Sequence, residues 1–394
     1  LFYPHHLQAL HYANIVLGAA LSGFMVPILW AFTHNRKLSL VVALLLTLNP
    51  SLFLYESYIL YTLLVAFLVT LSIFWLALHH QQPSPAYLYA FIFCLNLLIL
   101  ARSLYHIIIL AIGIPLVCLL SKRAVRKTLV TSVLISLLSV GWYSKNYLNF
   151  GFFGASSWQG LGLWKIASFH YSEEELTVLN QADVIDQTVI EVDVFSRPSA
   201  YVEAGYNKQS AIEALNQDDY NNINILEIAD LYQKNALSLI RYDIDRYMLS
   251  VVNAYLLYTK PPSRFEHLSF PNNRVKIAPL EGFSANILQG YSLALSLTGF
   301  GFGPFLFFLL PLSLLLFMWH IFRRCRLSPA RWGRYLQADA PAFFAFILIV
   351  YTTLVSNLFE VGENERFKVL VEQVMWALII TTFYRLTTSR KIKP

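Results

Sequence analysis

Apolar runs separated by short polar gaps extend along almost the whole chain. Several runs reach 18 or more residues, which as a helix is enough to cross a hydrocarbon core about 30 Å thick. A soluble protein of 394 residues can bury one or two such helices, but not about nine. The pattern therefore predicts an all-α polytopic membrane protein, with about nine spans at 11–32, 38–55, 58–78, 86–101, 104–121, 128–144, 298–321, 340–358 and 369–386.

One polar stretch, residues 145–283, is too long to be a simple connector. It mixes acidic residues with aromatic and aliphatic ones, as a folded domain does. Within it, residues 223–258 gather apolar side chains on one face, which predicts an amphipathic helix that ends before Pro261-Pro262. We therefore expect a small, mainly helical domain between two membrane regions, and the three predicted parts are 1–144, 145–283 and 284–394.

Composition and charge support the same class. Hydrophobic residues make up 57% of the chain and charged residues only 13%, against about 25% charged residues in a typical soluble domain. Segment 145–283 holds 17 of the 23 acidic residues and 11 of the 29 basic ones, a net charge of −6, so the rest of the chain carries +12. The charge is therefore divided by region, and the membrane part is strongly basic.

The basic residues outside that segment fall in alternate gaps between the apolar runs. Short loops rich in Lys and Arg stay on the cytoplasmic side of a membrane, so the amino terminus, segment 145–283 and the turns at Asn49–Ser57, Arg102–His106 and Asn357–Lys368 are predicted to face outward. The basic clusters on the cytoplasmic side are His34–Lys37, Lys122–Lys127, Arg323–Arg334 and Arg385–Lys393. We interpret the basic excess as topology and contact with anionic membrane lipids, and not as a nucleic-acid surface.

The positions of cysteines and glycosylation motifs indicate the compartment of the protein. Cys94 and Cys118 fall in apolar spans and Cys325 in a basic loop, so no structural disulfide is expected. Segment 145–283 contains no N-x-S/T glycosylation acceptor, which favours the bacterial inner membrane over the alternative, the endoplasmic reticulum membrane. An outward-facing Leu1 predicts an odd number of upstream spans, most simply one.

Ionisable residues at membrane depth are costly, so each is a functional candidate. On the predicted outer face they are Glu56, Arg102, Tyr105, His106, Lys145, Glu363, Glu365 and Arg366. Arg and Lys among carboxylates and imidazoles suit a lipid-linked phosphate, since Arg contacts phosphate oxygens in pairs. Simpler interpretations stay open, because Glu56 could be a solvated interfacial residue, Arg102 could extend to lipid headgroups, and Glu363–Lys368 could be an ordinary charged loop.

Four stretches, in this order along the chain, resemble the motifs of a known family. They are Leu44–Glu56, Leu98–Arg102, Gly141–Gly151 followed by Ser156-Ser157-Trp158, and Glu363–Phe367 followed by Val371-Glu372. They resemble motifs of the GT-C superfamily of integral membrane glycosyltransferases, specifically the bacterial relatives of protein O-mannosyltransferases and lipid A aminoarabinose transferases. The resemblance covers most of the chain and implies a GT-C-like fold.

The resemblance also implies an activity in the cell envelope. A sugar would move from a polyprenyl-phosphate donor to a hydroxyl of a glycan, lipid or protein acceptor on the extracytoplasmic face. It assigns the donor phosphate to Arg102, Lys145 and Arg366, and a polar site to Glu56, Tyr105, His106, Glu363 and Glu365.

The chain departs from the family pattern in places. Gly141, Lys145 and Gln373 stand where the family has Pro, Arg and Pro. The family's catalytic acid lies on the first extracytoplasmic loop, so we expect it upstream of Leu1 and assign no catalytic residue here. A divalent metal ion, Mg²⁺ or Mn²⁺, is the only cofactor considered. His5 and His6 are weak candidate ligands, because adjacent residues rarely bind one ion and a polar tail explains them equally well.

Two other classes of function stay open. One is a non-catalytic membrane scaffold subunit, and the other is a lipid or polymer transporter. Transporters usually keep ionisable groups near the bilayer midplane and are built from repeated halves, whereas here the charges gather at the span ends and no repeat is evident. The upstream sequence discriminates, since an acidic residue after one additional span favours the enzyme and a Met directly before Leu1 favours the scaffold.

Overall fold

The computed structural model describes residues 6–56, 60–121, 124–206, 224–260, 302–325 and 330–388. These residues form eighteen helices and no strand, in agreement with the predicted all-α class. The chain divides into two compact units. Unit 1 comprises Leu1–Ala155, Tyr258–Thr353 and Glu365–Pro394, and unit 2 comprises Ser156–Leu257 and Leu354–Asn364.

The helices are numbered in chain order. Those before the acidic segment are α1 (His6–Thr33), α2 (Arg36–Thr47), α3 (Pro50–Glu56), α4 (Thr62–Gln81), α5 (Pro85–Ala101), α6 (Ile108–Leu120) and α7 (Val125–Phe150). The next are α8 (Gln159–Ala167), α9 (Glu173–Gln181), α10 (Thr188–Glu191), α11 (Pro198–Glu203), α12 (Ile225–Tyr242) and α13 (Ile244–Thr259). The last are α14 (Phe302–Cys325), α15 (Ala330–Ala338), α16 (Ala340–Phe359), α17 (Asn364–Val369) and α18 (Glu372–Thr388).

Five of the described helices are long and apolar enough to cross a membrane. They lie at Ala9–Thr33, Thr62–Gln81, Val125–Phe150, Phe305–Arg323 and Ala340–Phe359. Helices α5 and α6 are equally apolar but shorter, with 17 and 13 residues. Each of the seven overlaps a predicted span, and together they support an integral membrane protein.

The predicted span 38–55 is not one helix, and that prediction was wrong. Helix α2 ends at Thr47 and α3 begins at Pro50. Proline disfavours helical geometry in the residue before it, but is well suited to the first helical position. The Asn49 side chain accepts a hydrogen bond from the Ser51 amide at 3.0 Å, which starts the new helix.

Packing in unit 1 joins helices that are close along the chain and helices that are far apart in it. Helix α4 packs along both α1 and α5, α5 packs along α7, and α18 packs against α1. Between α5 and α7, Ser139 Oγ donates to Asn96 Oδ1 at 2.7 Å, and the Asn96 amide nitrogen donates to the Ile92 carbonyl at 2.8 Å. These contacts satisfy polar groups that are costly in an apolar environment.

The basic loops converge on one end of unit 1, called here the basic-loop end. Arg385 of α18 donates from Nε and Nη2 to the Phe32 carbonyl of α1, at 2.9 and 2.6 Å. Its Nη2 also pairs with Asp339 Oδ1 at 2.6 Å, just before α16. The Gln337 side chain donates to the Leu119 carbonyl near the end of α6. Side chains at the basic-loop end therefore join the end of α18 to that of α1, and the end of α15 to that of α6.

Unit 2 is a small helical domain built on the packing of α8 against α12. Gly160 permits this approach, since a Cβ atom at that position would lie 1.9 Å from the Ala229 carbonyl oxygen. Trp164 and Tyr232 are buried in the core between the two helices. The predicted single helix over 223–258 was wrong, because α12 and α13 are separated at Asp243.

Asp243 itself explains that break. Its backbone is extended, with φ −143° and ψ 85°, and its side chain accepts a hydrogen bond from the Arg246 amide at 2.9 Å. A short acidic side chain that captures an amide three residues later is a helix N-cap. Residue 243 therefore ends α12 and starts α13.

Candidate functional site

The clearest candidate lies at the end of α5, in unit 1. Arg102 follows the last residue of α5 and is only 9% exposed. Its guanidinium carbon lies 4.9 Å from the centre of the Tyr61 ring and 4.5 Å from that of the Phe367 ring. Stacking on aromatic faces contributes on the order of 0.5–2 kcal/mol per contact. Arg102 is therefore a positioned cation, held between two chain segments distant in sequence.

Helix α17 supplies the second part of this site. Arg366 lies with its guanidinium carbon 5.6 Å from the centre of the same Phe367 ring. Phe367 is 6% exposed, and the guanidinium carbons of Arg102 and Arg366 lie 4.5 and 5.6 Å from the centre of its ring. The structure thus brings together two of the three predicted phosphate-binding residues.

Lys368, next in the chain, is the most deeply buried cation of this region. It is 3% exposed, and its Nζ donates to the Lys260 carbonyl at 2.8 Å. Glu372 Oε1 lies 3.8 Å from Nζ, one helical turn further on. Burial lowers the pKa of Lys368, and the nearby Glu372 and Glu365 oppose that shift. Lys368 and these two carboxylates therefore interact electrostatically.

Glu372 was not among the predicted site residues. It is 7% exposed, and its Oε2 has no hydrogen-bond partner in the described part of the chain. A buried carboxylate oxygen left in that condition is costly. The sequence did contain a signal, since Lys368 and Glu372 are four residues apart and therefore neighbours on a helix.

Tyr105 and His106 occupy the turn after Arg102. The Tyr105 hydroxyl is buried at 3.1 Å from Thr352 Oγ1, so this residue ties the turn to α16. The His106 amide donates to the Tyr351 hydroxyl, which in turn donates to the Leu104 carbonyl. Tyr105 is a packing residue, while His106 is exposed.

Glu56 and Lys145 make other contacts. The carboxyl group of Glu56 packs on α1, where a Cβ atom at Gly18 would lie 1.9 Å from its Oε1. Lys145 is exposed near the end of α7, and its Nζ lies 4.0 Å from the centre of the Trp142 ring. Their predicted roles beside Arg102 stay predictions.

The predicted cluster Glu363–Lys368 is divided between the two units. Glu365 belongs to unit 1, is 4% exposed and interacts with Lys368. Glu363 belongs to unit 2, where it interacts with Glu360. Burial raises the pKa of Glu360, while the ion pair with Lys165 at 3.0 Å lowers it. The two glutamates of the cluster therefore have separate surroundings.

A metal centre finds no support in these residues. Across the described ranges there is no group of three or more His, Cys, Asp or Glu side chains that could hold a metal ion. His5 lies outside the described residues, and His6 is described only by its backbone. We therefore derive no chemical step from a metal.

Comparison with known proteins adds no assignment. No family model matches the chain, and no match was found among curated proteins or among solved structures.

Proposed function

We propose that this protein is a membrane glycosyltransferase that transfers a sugar from a polyprenyl-phosphate donor to a hydroxyl acceptor on the extracytoplasmic face. The proposal includes about nine spans, a GT-C-like architecture and a bacterial inner-membrane location. One observation carries it above all, the buried and positioned guanidinium of Arg102 beside Arg366. A membrane protein gains little from burying cations without a task for them.

Chemistry at such a site needs little beyond positioning and charge. The acceptor oxygen attacks the anomeric carbon and forms the new C–O bond, while the bond between that carbon and the phosphate oxygen breaks. The electron pair leaves with the polyprenyl phosphate, and Arg102 and Arg366 stabilise its developing negative charge. A carboxylate accepts the acceptor's proton as general base. We assign that base to none of the described residues.

Two features of the site suit the phosphate of a lipid-linked donor. Arginine presents paired N–H donors that match the oxygens of a phosphate, and the stacked rings hold the plane of the group. The site also lies at the end of an apolar helix, where the headgroup of a lipid-linked donor meets protein while its tail stays among helices. Lys368 adds a third cation next to Phe367 in sequence.

The test measures sugar transfer by the full-length protein in lipid vesicles that contain a polyprenyl-phosphate sugar. We expect Arg102→Ala to lower kcat/KM by on the order of 100-fold, since removing one charge-stabilising donor costs about 2.7–4 kcal/mol. Arg102→Lys keeps the charge but loses the paired donors and the ring stacking, so we expect an intermediate loss. Glu56→Gln tests the predicted polar site in the same assay.

Arg323→Ala is the matched control. Arg323 also lies over a ring, 5.3 Å from the centre of Trp319, but it is exposed and sits in a basic region of α14. Its removal leaves transfer unchanged. If Arg102→Ala and Glu56→Gln both retain wild-type transfer, this site assignment is wrong. If the wild-type protein transfers no sugar from any polyprenyl-phosphate donor, the enzymatic function itself is refuted.

A further inference from the structure

A cavity of about 500 Å³ opens at the basic-loop end of unit 1, among the ends of α4, α5, α6, α7 and α15. Its size lies in the range of sites that hold small ligands, about 300–1,000 Å³. Half of the twelve lining residues are polar, although the helices that form it are mostly apolar; the polar ones are His79, His80, Ser84, Ser121, Thr128 and Gln337. Such a lining suits a polar ligand rather than a lipid tail.

Thr128 points to the chemistry of that ligand. It lies in the first turns of α7, lines the cavity and is completely buried. Its Oγ1 has no hydrogen-bond partner within the described ranges. A buried hydroxyl left in that state costs about 1–3 kcal/mol. An acceptor oxygen bound in the cavity would remove this cost.

The start of α7 favours an anion as that acceptor. Ala124 occupies the N-cap position, lines the cavity and provides no side-chain hydrogen bond to the first-turn amides. A helix of 26 residues carries a partial positive charge at its N-terminus, where such amides readily bind phosphate. The first turn adds two exposed cations, Arg126 and Lys127.

Two features oppose an anion, and the structure offsets part of each. The Asp339 carboxylate acts electrostatically on the lining residue His80, but it is paired with Arg385 at 2.6 Å. Helix α6 ends at the cavity, and carbonyl groups at a helix C-terminus carry partial negative charge. Gln337 of α15 donates its side-chain N–H to one of them, the Leu119 carbonyl, at 2.9 Å. Ser121 donates its hydroxyl to another, the Cys118 carbonyl, at 2.9 Å. The first-turn amides of α7 and the Thr128 hydroxyl are therefore the groups of this wall that suit an anion.

We propose that this cavity binds a phosphate group through Thr128 and the first-turn amides of α7. The cavity lies where apolar helices end, so an anionic lipid headgroup is the source that position favours, and free phosphate is the other source of the same chemistry. The site is separate from Arg102 and does not depend on the glycosyltransferase proposal. It gives the basic end of the protein a defined binding site in place of diffuse attraction to lipid.

The test uses the full-length protein in nanodiscs of phosphatidylcholine with 0–30% phosphatidylglycerol, and in detergent with inorganic phosphate. Native mass spectrometry counts bound phosphatidylglycerol, and thermal unfolding reports the gain in Tm with each ligand. We expect Thr128→Val to weaken binding by on the order of tenfold, the value of one hydrogen bond to a charged group. Thr62→Val is the matched control, because Thr62 Oγ1 is equally buried and lacks a partner among the described residues, but does not line the cavity.

A second pair of variants keeps the proposal testable if Thr128→Val does not fold. Ala124→Glu and Ala124→Gln place side chains of equal size at an exposed position, and neither is a favoured N-cap residue, so the first-turn amides stay available in both variants. Only the glutamate places a negative charge beside the cavity, and it alone should abolish phosphate binding. A response to phosphatidylglycerol alone identifies the lipid headgroup, and a response to inorganic phosphate as well identifies a general phosphate site. Binding of neither, or equal binding by the Glu and Gln variants, overturns the proposal.

Discussion

Replacing Asp339 with alanine removes the carboxylate partner of a buried guanidinium at the basic-loop end. The side chains of Arg385 and Asp339 are 11% and 5% exposed, and their closest atoms lie 2.6 Å apart. Arg385 also donates twice to the Phe32 carbonyl. The single change therefore leaves a charged group with its carbonyl contacts but without a counter-ion, in a setting largely shielded from water.

The expected loss in free energy of unfolding follows from the burial of this ion pair. Removing one member of a buried ion pair costs about 3–5 kcal/mol, because the other charge stays buried and uncompensated. The Phe32 carbonyl still accepts two hydrogen bonds from Arg385, so we place Asp339→Ala at the lower end, about 3 kcal/mol. The double variant Asp339→Ala with Arg385→Met leaves no buried charge at this position. Its free energy of unfolding should therefore fall by less than the sum of the two single decreases, and the difference should exceed about 1 kcal/mol.

The assay is reversible unfolding of the full-length protein in mixed micelles, followed by the fluorescence of its eight tryptophans. Asp230→Ala serves as the control, because Asp230 and Lys234 form an exposed pair on α12 with side chains 59% and 73% exposed. Such pairs contribute about 0–1 kcal/mol. A coupling energy below about 0.5 kcal/mol between Asp339 and Arg385 would refute the reasoning, as it would show that the pair is effectively solvated.

Two further predictions concern the other parts of the chain. Gly18→Ala should displace the Glu56 carboxyl group, because the new Cβ would lie 1.9 Å from Oε1. We expect reduced sugar transfer with little change in Tm. Gly23→Ala is the control, since its Cβ would meet no atom within 4 Å, and it should leave both sugar transfer and Tm unchanged. Glu175→Gln should flatten the acid dependence of unfolding. The pKa of Glu175 is lowered by a hydrogen bond from the Ser172 amide and, after that, by Arg246. The contribution of its carboxylate to stability is therefore present above the ordinary pKa of a glutamate and is lost as pH falls through the lowered pKa. Unchanged acid unfolding in the variant would contradict this.

Apolar length and periodicity were enough to predict the all-α class and the approximate positions of the long apolar helices. The errors came from local chemistry that overrides periodicity. Asn49-Pro50 divides a predicted span, and Asp243 divides a predicted helix, although both carry recognisable cap signals. These cap signals are sufficient to place the boundary between α2 and α3 and the boundary between α12 and α13.

The candidate site was less accessible to sequence reasoning, because its contacts join distant parts of the chain. Nothing near Arg102 in sequence indicates that Tyr61 and Phe367 hold its guanidinium group. Lys368 and Glu372 could be paired by their spacing, but the spacing does not reveal that both are buried. A charge pattern locates ionisable residues at one end of the spans, whereas burial and partners decide which of them are costly.

Two arginines of unit 1 show why the distinction matters for function. The charge of Arg385 is balanced by Asp339, and its guanidinium group also donates to the Phe32 carbonyl, so its contacts are explained by stability. Arg102 lies against the faces of two aromatic rings, which fix the plane of its guanidinium group. A guanidinium group held in a fixed plane is suited to receive the paired oxygens of an anion. We therefore expect loss of Arg102 to reduce sugar transfer far more than it reduces stability.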